Sequence, residues 1–308
     1  MPTRYVRSML FVPGTRPDRI EKAALSAADA VCIDLEDSVP PDQKVAAREH
    51  VVRALQQLDF GGRVRIVRIN ALDTPYTYRD LVDVVEAAGD HLDLVMLPKA
   101  ESPVDVVFVD TLLSQIETTR GLATRIGIEA QIETARGFLY AREIAGGSSR
   151  LDALIFGPGD FAASMHMPAT GIGELDSWDE SYPGHRWHAA MHAVVAAARA
   201  NGLRCMDGPY AAFKDADGLE RAGRIARAMG FDGKQCIHPA QLPVVNAVFG
   251  PSDEEVARAE AVVKAYEDAV ASGQGAATHD GRMIDAASLR MARALLSHRR
   301  SSFAIRDS

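Results

Sequence analysis

Cysteine is scarce in this chain: Cys32, Cys205 and Cys236 are the only three among 308 residues. Each lies inside a short apolar run. That pattern excludes a disulfide framework or a zinc knuckle and suits buried free thiols in a reducing compartment, so the expected location is the cytoplasm. Long apolar runs are also lacking. The N-terminal run, Met9 to Val12, stops at Pro13 and is too short for a signal sequence or a membrane span. Positive charge is in deficit, with 34 Lys and Arg against 42 Asp and Glu and a net charge of −8. A nucleic acid as main partner needs a basic face and is therefore disfavoured, although a local basic patch for a small anion stays open. What the chain has in quantity is apolar residues, 47% against 25% charged, enough for a sizeable core and too many for global disorder.

The apolar residues are grouped in short runs: "SMLFV", "AVCIDL", "VRIVRI", "LVMLP", "IGIEAQI", "ALIF", "LRCM" and "KQCI". They are almost continuously apolar, as strands covered on both faces of a parallel sheet are. Between them lie stretches of helical period, namely residues 16–28, 41–57, 78–88, 102–120, 135–146, 187–201 and 218–230. Alternating units of this kind predict an α/β fold, a (β/α)8 TIM barrel in about 250 residues, with a doubly wound open sheet as the rival. Periodicity alone does not separate the two. After the eighth run the pattern changes. Ser252 with Glu255 forms a capping box that opens a helix, a Gly-rich link follows from Gly273 to Gly281, and a last amphipathic helix starts near Ala286. The expected division is a catalytic barrel over residues 1–250 and a small C-terminal helical lid or oligomerisation segment over 251–308. His298 to Ser308 read as a frayed tail.

Polar residues gather just after each run. They are Arg16 and Arg19 after the first, Glu36 and Asp37 after the second, and Arg68 and Asn70 at the third. Pro98, Lys99 and Glu101 follow the fourth, Glu133 the fifth, Asp160 the sixth, Asp207 the seventh, and His238 and Pro239 the eighth. In a parallel barrel all these positions share the C-terminal face, where active sites lie.

The stretch "ALIFGPGDFAAS" imitates a dinucleotide fingerprint through Gly157, Gly159 and Ala162. A true fingerprint needs an acid at the end of the next strand, about 20 residues on. Here a long polar loop follows, and Asp160 would repel a pyrophosphate. A metal explains the acid. Mg²⁺ takes hard oxygen ligands, often one or two carboxylates, and keeps positions open for water and substrate. Glu133 and Asp160 follow neighbouring strands and are the candidate ligands. Arg68 could clamp a carboxylate or stabilise an enolate oxygen, or pair with Glu36 or Asp37. Gly157, Pro158 and Gly159 would let the backbone approach a bound carboxylate. A metal, an arginine and a glycine loop suit a small 2-oxo acid. His185, His188 and His192 include a helical i,i+4 pair but lack a His-Glu-x-x-His pattern, so they read as surface histidines rather than zinc ligands.

Nine segments in order, among them "RSMLFVPGTRPDRIEKA", "CIDLEDSVPPDQKVAAR", "LPKAES", "IETARGF", "ALIFGPGDFAAS", "GFDGKQCIHPAQ" and "DGRMIDAASLRMA", span nearly the whole chain. They resemble the citrate lyase β-subunit-like acyl-CoA lyases of the HpcH/HpaI aldolase superfamily. The segment from "GIGELDSWDESYPGHRW" to "DGPY" resembles the malyl-CoA and β-methylmalyl-CoA lyase branch. The resemblance implies a TIM barrel with a lid, Mg²⁺ or Mn²⁺ on Glu133 and Asp160, and substrate contact by Arg68, with Glu36 and Asp37 on the substrate side. It implies a homotrimer or homohexamer in which Asp285 reaches a neighbouring subunit's site as acid/base. From the residues alone, Asp285 is equally an N-cap. It further implies a CoA thioester substrate held by Arg16, Arg19 and Lys22, with His238 and Pro239 along the channel. The expected reaction is a reversible Claisen-type cleavage of malyl-CoA or β-methylmalyl-CoA. Citramalyl-CoA or citryl-CoA cleavage, a CoA-independent aldolase and a CoA-ester-binding regulatory protein are the alternatives.

Overall fold

The protein is described by a computed structural model covering residues 5–181 and 186–304. Eight strands form a closed ring in chain order: β1 (Ser8–Pro13), β2 (Ala30–Asp34), β3 (Val64–Arg68), β4 (Leu94–Leu97), β5 (Gly127–Ile132), β6 (Leu151–Phe156), β7 (Arg204–Asp207) and β8 (Gly233–Cys236). Every neighbouring pair is parallel, and β8 returns to β1 through Ser8 opposite Lys234. That closure decides the question periodicity left open: the fold is a (β/α)8 barrel and not an open sheet. Met9, Ala30, Cys32, Ile66, Leu94, Met96, Ile155 and Met206 fill its inside. All three cysteines are buried free thiols.

The bottom of the barrel is pinned by aspartates that open the even-numbered strands. Asp29, ahead of β2, takes the backbone N–H of Arg7 at 2.8 Å and both arms of its guanidinium. Asp93, ahead of β4, does the same for Arg65. Asp152 in β6 holds Arg204, and Asp232 ahead of β8 holds the Cys205 N–H and Arg199. The pins at Asp29, Asp93 and Asp232 each also satisfy a strand N–H that would otherwise lack a partner, whereas Asp152 takes the Arg204 guanidinium.

The helices are α1 (Pro17–Ala24), α2 (Lys44–Gln57), α3 (Thr77–Ala88), α4 (Pro103–Arg120), α5 (Ala135–Leu139), α6 (Ala141–Ala145), α7 (Pro158–Ser164), α8 (Ser177–Ser181), α9 (His188–Ala200), α10 (Ala216–Met229), α11 (Leu242–Phe249), α12 (Asp253–Ala271) and α13 (Ala286–Ala304). Their starts and stops are chemical. Ser102 and Asp105 form a capping box on α4, which ends at Gly121 with φ +64°. The connections differ from the expected pattern at three places. The helix expected over 135–146 is two short ones that meet at Tyr140. Helix α11 was not anticipated, because its run "LPVVNAVF" follows directly on the eighth strand's loop. The polar loop after Ser164 has no strand among its described residues, but contains α8. Among the described residues no helix is long and apolar enough to cross a membrane.

The chain divides into two compact units, with the boundary between Asn246 and Ala247. In the second unit α12 packs on α13, and Arg293 meets Glu267 at 3.1 Å. The Ser252–Glu255 capping box is present, with the Glu255 N–H 3.1 Å from Ser252 Oγ. The Gly-rich link is more than a link: Ala277–His279 and Arg282–Ile284 pair as an antiparallel hairpin, β9 and β10. Its turn is Asp280-Gly281 with both φ positive, +48° and +71°, which is the favoured chemistry of a two-residue hairpin. The backbone expected to fray from His298 onward continues as helix to Ala304.

Candidate active site

Strand tips deliver the charged groups. Arg68 ends β3 and Asp34 ends β2. The guanidinium forks onto Asp34, Nε to Oδ1 at 2.7 Å and Nη2 to Oδ2 at 2.8 Å, and its Nη1 reaches Glu36 Oε2 at 3.0 Å. It lies over the Phe11 ring, 5.1 Å from the centroid. Burial works against the Asp34 carboxylate, but the Arg68 charge and hydrogen bonds outweigh it and hold Asp34 below the usual carboxylate range.

Lys99, two residues past β4, stands at the centre. Its backbone is left-handed, with φ +47°, a conformation that is strained for a non-glycine residue. That twist points its N–H at Glu133 Oε1, 2.8 Å away. Its ammonium lies 2.5 Å from Glu36 Oε1, 3.5 Å from Asp37 Oδ2 and 3.7 Å from Asp160 Oδ1. Burial disfavours this ammonium, yet the bond to Glu36 and the charges of Glu36, Glu133 and Asp160 hold it above the ordinary lysine range.

Glu133 follows β5 and is almost wholly buried. Its second oxygen takes the Gln131 amide at 2.6 Å. Burial, reinforced by the charges of Glu36 and Asp160, raises its pKa to about 8 despite Lys99 and Arg68. Five carboxyl groups, those of Asp34, Glu36, Asp37, Glu133 and Asp160, thus surround two cations, Arg68 and Lys99. Asp160 sits in the first turn of α7, with its side chain 42% exposed. The buried Gln131 Oε1 accepts no hydrogen bond, and Glu36 Oε2 meets the Arg68 guanidinium as an ion pair without hydrogen-bond geometry. A surplus of hard oxygen donors, two of them carboxylates on adjacent strand tips, fits a divalent cation such as Mg²⁺. Among the described residues no group of three His, Cys, Asp or Glu has metal-binding geometry. Mg²⁺ does not need one, since water and substrate complete its shell.

The structure thus gathers Glu36, Asp37, Arg68, Glu133 and Asp160, as the sequence led us to expect. It adds Asp34 and Lys99, which were not among the expected site residues. Lys99 shows itself in sequence only as one of the polar residues that follow the eight apolar runs. Asp34 was hidden inside an apolar strand. Gly157 has a different part from the one expected. Its N–H donates to the Ile132 carbonyl at 3.1 Å and so does not face a ligand. A Cβ here would come within 2.5 Å of Glu133 Oε2 and 2.6 Å of Glu133 Cβ, so the glycine makes room for Glu133. At Gly159 a Cβ would meet the Ile172 side chain at 3.3 Å. Pro158 opens α7 as its first residue.

Arg16, Arg19 and Lys22 are exposed at the start and on the surface of α1, with Arg16 forked onto Asp18 at 2.9 Å. His238 and Pro239 are exposed beyond β8. The His238 ring stacks on Phe213 at 4.6 Å, and its Nδ1 accepts the Ala240 N–H. Asp285, in the second unit, caps α13. Its Oδ1 takes the N–H groups of Ala287 and Ser288 at 2.9 and 3.0 Å and the Ser288 hydroxyl at 3.1 Å. These bonds, those of Ser288 foremost, hold its pKa below the usual range. His188 and His192 are exposed and stack on each other at 5.7 Å, while His185 lies outside the described residues.

Comparison with known proteins gives the site its context. The family model described as HpcH/HpaI aldolase/citrate lyase matches residues 7–239. An L-malyl-CoA/β-methylmalyl-CoA lyase of Cereibacter sphaeroides is 44% identical over 301 residues, covering 96% of this chain and 95% of its own. A (3S)-malyl-CoA thioesterase of the same organism is 39% identical, covering 91% and 89%. The crystal structure of CitE from Mycobacterium tuberculosis in complex with magnesium, acetoacetate and coenzyme A superposes with a TM-score of 0.76 at 33% identity, covering 96% of this chain and 98% of that one. With a barrel, a strand-tip acidic cluster and these matches over nearly its full length, the chain belongs to the HpcH/HpaI aldolase/citrate lyase family.

Proposed function

We propose that the protein is a carbon–carbon lyase that reversibly cleaves malyl-CoA, or β-methylmalyl-CoA, into glyoxylate and acetyl-CoA or propionyl-CoA. The observation that carries this reading is the convergence of Glu133, Asp160, Lys99 and Arg68 at adjacent strand tips, in a chain 44% identical to a lyase of that name.

Glu133 and Asp160 would hold Mg²⁺ or Mn²⁺. When bound, the cation supplies electrophilic polarisation of the oxo-acid carbonyl. Lys99 positions both ligands, Glu133 through its N–H and Asp160 through its ammonium. Arg68, fixed by Asp34, presents charge to the oxygen on which electrons accumulate. Glu36 and Asp37 close the substrate side around Lys99. For cleavage, a base takes the proton of the substrate's 3-hydroxyl. The bond between C2 and C3 breaks, leaving the aldehyde of glyoxylate, and its electrons pass to the thioester enolate. The enolate carbon then takes a proton to give acetyl-CoA. In the reverse direction the same base removes a proton from the acetyl methyl.

The base we assign is Asp285 from a neighbouring copy in a homotrimer or homohexamer, with residues 251–308 acting as lid. Capped as it stands, Asp285 is a weak base. Transfer from the helix cap to a desolvated site would raise its pKa. Arg16, Arg19 and Lys22 suit the phosphates of CoA, and His238 and Pro239 suit the channel that leads from them. The chemistry fits an enzyme of the cytoplasm.

The experiment mixes acetyl-CoA or propionyl-CoA with glyoxylate, with and without Mg²⁺, and follows thioester, glyoxylate and free thiol. Magnesium-dependent condensation without thiol release supports the lyase. Thiol release with malate formation would assign hydrolysis, as the name of the thioesterase relative suggests. No consumption of glyoxylate would overturn the lyase reading.

A further inference from the structure

We infer that Ile172 determines which 2-oxo acid the site accepts, by walling off the space that a methyl group would need beside Asp160. The inference rests on the lyase reading above and deepens it. Ile172 comes from the loop between α7 and α8, outside the strand tips that carry the charged groups. Its side chain lies across Gly159, where Cδ1, Cγ1 and Cγ2 stand 3.3 to 3.4 Å from the position of a Cβ. Gly159 directly precedes Asp160. Ile172 is nonetheless 42% exposed, so the side chain covers the glycine on one side and faces open space on the other.

The wall is rigid. The Ile172 carbonyl accepts the Ala211 N–H at 2.9 Å, and Gly173, with φ +80°, lets the backbone pass closely beside the Pro209 carbonyl. The ends of the loop are tied by Arg186, which donates to the Pro168 carbonyl at 2.7 Å and to Asp176 at 2.9 Å and lies 3.4 Å from Asp179. Thr170 adds bonds to Asp176 through its N–H and hydroxyl, both at 3.1 Å. A loop closed on itself in this way does not swing aside at small cost, so the branched side chain is a fixed boundary.

In the lyase reading the oxo acid is the substrate part held next to Asp160, one residue from the glycine that Ile172 covers. Glyoxylate carries a hydrogen on its carbonyl carbon, whereas pyruvate carries a methyl. One methyl in a hydrophobic pocket changes kcat/KM by about 10- to 200-fold, and a wall that is 42% exposed belongs at the low end of that range. The side chain therefore favours glyoxylate over pyruvate, and malyl-CoA over citramalyl-CoA in the cleavage direction.

The test measures kcat/KM for glyoxylate and for pyruvate in condensation with acetyl-CoA, for the wild type, Ile172→Val and Ile172→Ala. The pyruvate-to-glyoxylate ratio should rise about tenfold or more in Ile172→Ala and by less in Ile172→Val. Mn²⁺ affinity, read by titration, should be unchanged in both. A ratio constant within twofold, or a loss of Mn²⁺ affinity together with both activities, overturns the inference, because Ile172 would then merely support Asp160. Ile172→Val loses one methyl group from a half-exposed side chain and keeps the test open if Ile172→Ala does not fold. A wild type that condenses neither acid overturns the lyase reading itself, and this inference falls with it.

Discussion

Arg68 and Asp34 meet as a two-point fork across the tips of β3 and β2, with both distances under 2.9 Å and both groups nearly out of water. A planar guanidinium on a carboxylate fixes direction as well as charge, which lysine cannot do. Arg68→Lys should therefore fold and lose about 100-fold or more in kcat/KM. Asp34→Ala removes the forked partner of a buried cation, leaving it Glu36 alone, and should cost about 3 kcal/mol of stability, read by urea unfolding.

The same pair sets an acid limit. Asp34 is held below its ordinary pKa in the folded protein, so the folded state binds fewer protons there than the unfolded state. Its contribution to stability is fully present above the ordinary carboxylate pKa and is lost as pH falls through the depressed folded value. Unfolding free energy measured from pH 7 downward should fall less steeply in Asp34→Asn than in wild type over that acid range. Parallel curves would show that Asp34 does not carry the linkage.

Gly157→Ala tests the recess that holds Glu133. Its φ of −104° suits any residue, so backbone strain is not at issue. The added methyl collides with Glu133 instead. Mn²⁺ affinity should fall at least tenfold, an effect of the same sign as Glu133→Gln or Asp160→Ala, both of which should abolish metal-dependent turnover. Normal activity in either of the latter would remove the carboxylate from the metal site.

Lys99 has two separable parts. Lys99→Gly keeps the N–H on Glu133 and accommodates the left-handed backbone without cost. Lys99→Met keeps bulk but not charge. Both should lose at least tenfold in kcat/KM, and only Lys99→Gly should keep or gain thermal stability relative to Lys99→Met. Equal melting temperatures would argue that the φ of +47° is not strained.

For Asp285 the informative substitution is asparagine, an N-cap as good as aspartate. Asp285→Asn should leave the melting temperature and CoA-ester binding intact and abolish turnover. Cleavage at the wild-type rate would leave Asp285 as a helix cap and nothing more.

The barrel and its charged rim were legible because each rests on local pattern. Continuous apolar runs mark buried parallel strands, and the residues after them share a face. Glu133, Asp160 and Arg68 were found by that rule. Asp34 was not, because an acid at the end of the apolar run "AVCID" looks like part of the strand until Arg68 is placed across from it. The role of Gly157 was misread because spacing shows that a glycine is needed and not what occupies the space it leaves. The β9–β10 hairpin did have a signal, the Asp280-Gly281 pair, masked by the glycines before it. What Ile172 touches depends on a loop of about a dozen residues folding back, which no short-range pattern encodes.

The aspartate pins at the foot of the barrel bear on the rim above them. Strand β3 is fastened to Asp93 through Arg65 and carries Arg68 three residues higher, a rise of about 10 Å. The height at which the Arg68 fork meets Asp34 is thus set from the far end of the strand, as a ruler is set by its zero mark. A change at Asp93, remote from every reacting atom, would act as an error of calibration at the active site.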